Sequence, residues 1–204
     1  MRAMLQGWVV NDSFDVQLLR RRLLPVNTDP GSGDARPPDA AVAVIIDPLQ
    51  QHGSMLLIRR TEREGDRWSG QIAFPGGHRE SNDRTFLDTA IREAGEEVGI
   101  SLREHELLGA LPLVYSQSRS VRVAPFVFQL RASVEIKPNQ EVADTFWLAL
   151  SDIANNVITK TKTQVETGNR VTDSYIYRGN VIWGLTFRII NILLEKNVDA
   201  QSIP

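Results

Sequence analysis

Three glutamates, Glu93, Glu96 and Glu97, stand at i, i+3 and i+4 in the stretch RTFLDTAIREAGEEV (84–98). At about 100° per residue, Leu87, Ala90, Ile91, Ala94 and Val98 of this stretch fall on one face, so it reads as an amphipathic helix with an apolar core side. The glutamates then occupy a separate stripe. Like charges at this spacing destabilise a helix by about 0.2–0.5 kcal/mol per pair, and in its last turns the macrodipole adds to the penalty. Gly95 among them costs about 1 kcal/mol against alanine, whereas Gly99 suits the left-handed end of a helix. Stability does not select such an arrangement. A hard divalent cation, Mg²⁺ or Mn²⁺, does, because it prefers oxygen ligands and can bridge carboxylates to phosphate oxygens. The competing reading is a solvated acidic face.

Upstream stands Phe74-Pro75-Gly76-Gly77-His78-Arg79-Glu80, which reads as a short strand entering a glycine pair and then a loop. Ser81, Asn82 and Asp83 look like the cap of the helix. Gly76 and Gly77 would let the backbone approach a bound ligand closely, or else they mark a plain turn. Arg92 precedes the first glutamate of the stripe and can donate charge-assisted hydrogen bonds to carboxylates.

The run from Gly77 to Ile100 resembles the signature of the Nudix hydrolases, a loop-helix-loop ending in Arg-Glu-apolar-X-Glu-Glu-X-Gly-apolar. Arg92-Glu93-Ala94-Gly95-Glu96-Glu97-Val98-Gly99-Ile100 matches every position of that ending. The resemblance implies an αβα sandwich, a requirement for Mg²⁺ or Mn²⁺, and hydrolysis of a nucleoside diphosphate linked to a second group. Carried over by position, Glu93, Glu96 and Glu97 are the metal ligands and Arg92 orients the carboxylates. The loop between Gly77 and Arg92 is one residue longer than usual, so its acid falls on Asp83 when counted from Gly77, with Glu80 as competitor.

LLIRRTEREGDRWSGQIAFPGG (56–77) is similar to the upstream motif of the coenzyme A pyrophosphatase branch, which also carries the longer loop. Val123–Val127, Asn139–Val142, Phe146-Trp147 and Ile182–Thr186 look like its later landmarks, so the resemblance covers about residues 40–195. Arg67-Trp68-Ser69-Gly70 is spaced more tightly than that branch's corresponding basic segment. The implied substrate is coenzyme A or an acyl-coenzyme A, giving 3′,5′-ADP and 4′-phosphopantetheine. The alternatives are another nucleotide (a nucleotide sugar, dinucleotide or nucleoside triphosphate) and a nucleotide-binding module without catalysis.

For the reaction, Glu141 is the candidate general base, with Glu97 as the alternative. Arg59, Arg60 and Arg67 are candidate phosphate clamps, or else solvated charges at a strand end. Trp68 and Phe74 could stack on a base or lie in the core, and the polar stretch Tyr115–Ser120 could line a substrate. Trp183 and Phe187, at i and i+4, read as core positions of a final helix.

These residues require a scaffold. Strands are expected at 40–47, 54–60, 71–74, 106–115, 121–130, 144–150, 157–165 and 171–177, with helices at 84–98 and 180–196. Their irregular alternation indicates an α+β fold, an αβα sandwich with a mixed β-sheet. Residues 1–39 form an N-terminal helical extension (Phe14–Leu24) and a Pro/Gly-rich linker, 40–198 the domain, and 199–204 a tail. The extension either caps the core or builds a homodimer interface.

The resemblance implies a small-molecule nucleotide as partner, and composition argues against the other classes. The 23 basic and 25 acidic residues of the 204 leave a net charge of −2, without the excess a nucleic-acid backbone demands. With no cysteine there is neither a thiolate zinc site nor a thiol nucleophile. The tract 181–194 is interrupted by Arg188 and Asn191, so no membrane span is expected. The N-terminus lacks a secretory pattern, which predicts a cytoplasmic protein.

Overall fold

The computed structural model describes residues 9–10, 13–28, 30–31, 36–50, 53–65, 68–116, 120–154, 157–165 and 170–194. In chain order the elements are β1 (Val9–Val10), β2 (Ser13–Phe14), α1 (Val16–Arg20), β3 (Ala40–Asp47), β4 (Ser54–Arg60), β5 (Ile72–Ala73) and β6 (Gly76–His78). Then come α2 (Phe86–Val98), a 3₁₀ turn at Leu102–Glu104, β7 (Glu106–Ala110), β8 (Val114–Tyr115), β9 (Arg122–Gln129), β10 (Val142–Ala149) and α3 (Leu150–Ala154). β11 (Thr161–Val165), β12 (Arg170–Tyr177), β13 (Asn180–Trp183) and α4 (Gly184–Leu193) complete the described chain.

The main sheet runs β10-β4-β3-β9-β7, with β5 on β4, β6 on β3 and β8 on β9. It is mixed: β3 pairs parallel with β9, from Ala40 opposite Val123 to Ile46 opposite Gln129, among antiparallel neighbours. The strand AAVAVIID has no polar side because both of its faces are covered. Ala41, Ala43 and Ile45, with Leu56 and Ile58 of β4, pack under Phe86, Ala90, Ala94 and Val98 of α2. Val44 and Ile46, with Met55 and Leu57, face the other way, into a cluster with Tyr175, Ile182, Phe187 and Ile190. Those residues belong to α4 and to the second sheet, β11-β12-β13. The result is an αβα sandwich, and small alanines on β3 let α2 lie close to the sheet.

Several boundaries differ from the sequence expectation, each for a local reason. The helix starts at Phe86, not Arg84, because Thr85 and not Ser81–Asp83 is the N-cap: its Oγ1 accepts from the Asp88 N–H at 3.1 Å while Asp88 Oδ2 accepts from the Thr85 N–H at 3.2 Å. Gly99, at φ 73°, closes the helix as expected. The strand expected over 106–115 splits into β7 and β8 around Pro112, which has no N–H for a ladder. The final helix begins at Gly184, since residues 180–183 form β13 after a turn at Arg178-Gly179. Lys196 and the tail lie outside the described residues.

At the N-terminus the helix is short, Val16–Arg20, but firmly docked. Leu19 is fully buried, and Leu24 exchanges backbone hydrogen bonds with Ala110 on β7 at 2.8 and 3.2 Å. A Cβ at Gly109 would collide with the Leu24 carbonyl, so glycine there permits the approach. The described residues of this extension thus reach the edge of β7 through Leu24.

Candidate active site

α2 presents the glutamates as its sequence period requires, and Arg92 joins two of them, Glu93 and Glu96, to the loop. Its Nη1 lies 3.0 Å from Glu93 Oε1, 2.8 Å from Glu96 Oε2 and 3.7 Å from Glu80 Oε1. Its Nη2 donates to the His78 carbonyl at 3.1 Å and to Asp83 Oδ2 at 3.1 Å. Asp83 first among these partners holds the guanidinium firmly protonated.

The two acids of the loop take different places. Asp83 is buried and saturated: it also accepts from the Glu80 N–H at 2.9 Å and from Thr89 Oγ1 at 3.0 Å. Burial pushes its carboxyl up, but the Arg92, Glu80 and Thr89 hydrogen bonds together hold it below the ordinary value of 3.8. Arg79 binds the outside of the loop through the carbonyls of Asp83 and Arg84, at 2.9 and 2.7 Å. Glu80 instead is exposed and faces the glutamate stripe.

Glu97 is the most enclosed of the three, 2% exposed, and its Oε2 accepts from the Gly76 N–H at 2.8 Å. Arg60 Nη1 stands 3.7 Å from its other oxygen. Burial raises the Glu97 carboxyl to about 7; the Gly76 hydrogen bond and Arg60 oppose this, while Glu93 and Glu141 add to it. Glu93 is raised too, first by burial and then by Glu96 and Glu80, against the pull of Arg92.

The glycine pair lies in the strand β6 and not in a plain turn, pairing Gly76 with Val42 and Gly77 with Ala41. A Cβ on Gly76 would lie 2.7 Å from the Val42 Cα, and one on Gly77 would run into the Glu93 carboxylate. The close approach made here is to β3 and to the glutamates, so the pair seats Glu93 and Glu97. Both glycines also line a cavity, described below.

Opposite α2 stands the segment that enters β10. The carbonyls left over at the end of α2 accept from it, Val98 from the Lys137 N–H at 2.9 Å and Glu97 from the Asn139 N–H at 3.0 Å. This docking carries Asn139 and Glu141 to the acidic side chains, and together with Glu80, Arg92, Glu93, Glu96 and Glu97 they line a polar cavity of about 450 Å³. A second cavity of about 570 Å³ shares Glu93, Glu97 and Glu141 with the first and is lined further by Arg60, Gln71 and a set of aromatic and aliphatic side chains. The apolar part of the lining comes from Trp68, Phe74, Trp183, Leu185 and Ile189, and Ser116 and Ser120 also border the cavity.

The structure thus brings Glu93, Glu96, Glu97, Glu141, Arg92, Arg60, Gly76 and Gly77 together. Arg59 is not brought in: successive residues of a strand point to opposite faces, and Arg59 pairs with Asp144 on β10 at 3.2 Å. Arg67 lies outside the described residues. Trp183 was expected in the core; it ends β13 instead, half-buried in the cavity wall, while Phe187 is the core residue. Asn139 and Thr186, whose Oγ1 ties α4 to the Ile72 carbonyl at 2.9 Å, escaped the sequence reading. Both stand inside landmarks quoted from the sequence without a role, Asn-Gln-Glu and Trp-Gly-Leu-Thr, which were the available signal.

The donor set is entirely oxygen and strongly anionic, with two carboxyls pushed up first by burial and then by their acidic neighbours, which suits a hard divalent cation in kind. Among the described residues no three acidic or imidazole side chains already converge as a metal site would. Glu93 and Glu96 each give one oxygen to Arg92, and Glu97 gives one to Gly76.

The NUDIX domain model matches residues 36–168, and the chain belongs to the Nudix family. It is a Nudix-type pyrophosphohydrolase acting on a nucleotide-derived substrate. Similar curated proteins include the uncharacterised Nudix hydrolase NudL of Pectobacterium atrosepticum, 34% identical over 74% of this chain and 80% of that one. NudL of Yersinia enterocolitica is 33% identical over 82% of this chain and 85% of its own. Among solved structures, the C. elegans Ap4A hydrolase binary complex is 20% identical with a TM-score of 0.47, covering 57% of this chain and 83% of that one. Among the described residues no helix is long and apolar enough to cross a membrane.

Proposed function

We propose that the protein hydrolyses the pyrophosphate bond of coenzyme A or an acyl-coenzyme A, releasing 3′,5′-ADP and a 4′-phosphopantetheine product. The observation that carries this reading is the junction of two cavities at Glu93, Glu97 and Glu141: an anionic one beside one lined largely by aromatic and aliphatic side chains. A phosphoanhydride joining a nucleotide to a long, partly apolar arm matches that division. The similarity of residues 56–77 to the coenzyme A pyrophosphatase motif supports the same choice.

Glu93, Glu96 and Glu97 would hold Mg²⁺ or Mn²⁺, which when bound neutralises phosphate charge and acidifies water. Arg92 ties Glu93 and Glu96 together, and Gly76 fixes the rotation of Glu97. Glu141, across the cavity, is placed to take the proton of the attacking water. Arg60 stands where it can bind a phosphate oxygen beside Glu97.

A mass-resolved panel of coenzyme A, acyl-coenzyme A esters, ADP-ribose, dinucleotides and nucleoside triphosphates tests this, each with Mg²⁺, Mn²⁺ or chelator. Metal-dependent appearance of 3′,5′-ADP from coenzyme A is expected, and Glu97→Gln should abolish it. Cleavage of another diphosphate instead would move the substrate, and cleavage of none would leave a nucleotide-binding module.

A further inference from the structure

The residues that follow β4 reach across to the segment entering β10. The Thr61 N–H donates to the Glu141 carbonyl at 2.9 Å and Thr61 Oγ1 to the Gln140 carbonyl at 2.9 Å. The Glu141 N–H in turn donates to Asn139 Oδ1 at 2.8 Å. Three hydrogen bonds therefore fix the backbone of 140–141, and what remains free is the Glu141 side chain. Its carboxylate lines both cavities and faces Glu93 and Glu97, whose charges repel it toward solvent.

Arg63 is the counterweight. Its Nη1 lies 3.1 Å from Glu141 Oε1, and its own N–H donates to Ser69 Oγ at 2.8 Å. Arg63 itself lines neither cavity, so its described contact with the site runs through Glu141. We propose that Arg63 is a positioning residue that holds the Glu141 carboxylate over the mouth shared by the two cavities, acting through Glu141 and not on the substrate. This rests on the reading of Glu141 as the proton acceptor.

The side chains are 45% and 41% exposed, so the pair is partly screened and shifts the Glu141 rotamer by a factor of roughly 2–5. The turnover effect follows that factor. Arg63→Lys should stay near wild type, Arg63→Met should lower kcat about threefold with KM changed less than about twofold, and Arg63→Glu should lower it about tenfold.

The decisive comparison repeats the series in a Glu141→Gln background, using coenzyme A with Mg²⁺ or whichever diphosphate the panel shows to be cleaved. The graded loss should vanish there. Equal losses in both backgrounds, or a rise in KM at constant kcat, would overturn the role of Arg63 alone; wild-type kcat in Glu141→Gln would overturn the reading of Glu141 and this proposal with it. A crystal structure of the Arg63→Met protein judges the placement without turnover. The Glu141 carboxylate should leave the cavity mouth while its Cα stays, and a carboxylate still in place would refute the proposal.

Discussion

Replacing Glu97 by glutamine should destroy activity and yet strengthen the metal-free fold. Burial raises the folded-state carboxyl from the ordinary value of 4.5 to about 7, so ionising it in the folded protein is unfavourable. The stability that Glu97 contributes is complete below pH 4.5 and is lost as pH rises through about 7. Integrated over that window, the ionised side chain destabilises the fold by about 3 kcal/mol at pH 8 and about 1 kcal/mol at pH 5. Glutamine keeps an oxygen for the Gly76 N–H and carries no charge at either pH. Urea unfolding in chelator should therefore show Glu97→Gln more stable than wild type at pH 8 by about 3 kcal/mol, with the gap shrinking toward pH 5. In thermal scans, at roughly 2–4 °C per kcal/mol, the difference at pH 8 is about 6–12 °C. Adding Mg²⁺ should reverse the order, since a cation at about a thousand times its Kd stabilises the wild type by about 4.1 kcal/mol, more than this gap, and the variant much less. A variant no more stable than wild type at pH 8 in chelator would refute the account of Glu97 as a carboxylate held at the expense of the fold.

Three further outcomes test the surrounding parts. Gly77→Ala drives a Cβ into the Glu93 carboxylate, so kcat/KM should fall at least about tenfold while unfolding free energy changes by only about 1 kcal/mol, because the flexible end of Glu93 yields. Asp83→Ala leaves Arg92 and Thr89 without their buried partner and should cost about 3 kcal/mol in urea unfolding. Asp83 is held below its ordinary 3.8, so its contribution is present above that pH and lost as pH falls; Asp83→Asn should show a flatter acid limb than wild type. Arg60→Ala should lower kcat/KM several-fold, whereas Arg59→Ala, which breaks an exposed pair with Asp144, should leave kinetics unchanged and stability within about 0.5 kcal/mol.

The contrast between Arg59 and Arg60 shows what kind of information the sequence carries about the site. Both arginines end the same strand, and composition treats them alike. The alternation of β4 separates them: Arg60 shares a face with Leu56 and Ile58, which pack under α2, and so reaches Glu97. Arg59 stands on the opposite face and reaches Asp144. That distinction was legible from period-2 patterning once α2 was assigned to one side of the sheet. The helix itself was legible to within two residues, because its apolar face and its closing glycine lie within one continuous segment, while its cap fell on Thr85 and not on Ser81–Asp83.

The features that escaped are those whose cause is distant in sequence. Gly76 and Gly77 carry a turn signal, and locally nothing contradicts it. Their strand conformation follows from β3, where Val42 leaves no room for a Cβ, and from Glu93, sixteen residues beyond Gly77, whose carboxylate occupies the space a side chain would need. Trp183 likewise sits at helical spacing from Phe187, but Gly184 adopts φ 62° and turns the chain between strand and helix, leaving Trp183 on the cavity wall and Phe187 in the core. The same separation explains the acidic site. A stripe of glutamates on one helix is unstable in isolation, and it becomes a site only through Gly76, Arg60, Asn139 and Glu141, contributed by three other parts of the chain. Glu97 therefore interacts with its own helix neighbour, two strands and the β10 approach at once, which is why its charge is the sensitive point of both the fold and the proposed chemistry.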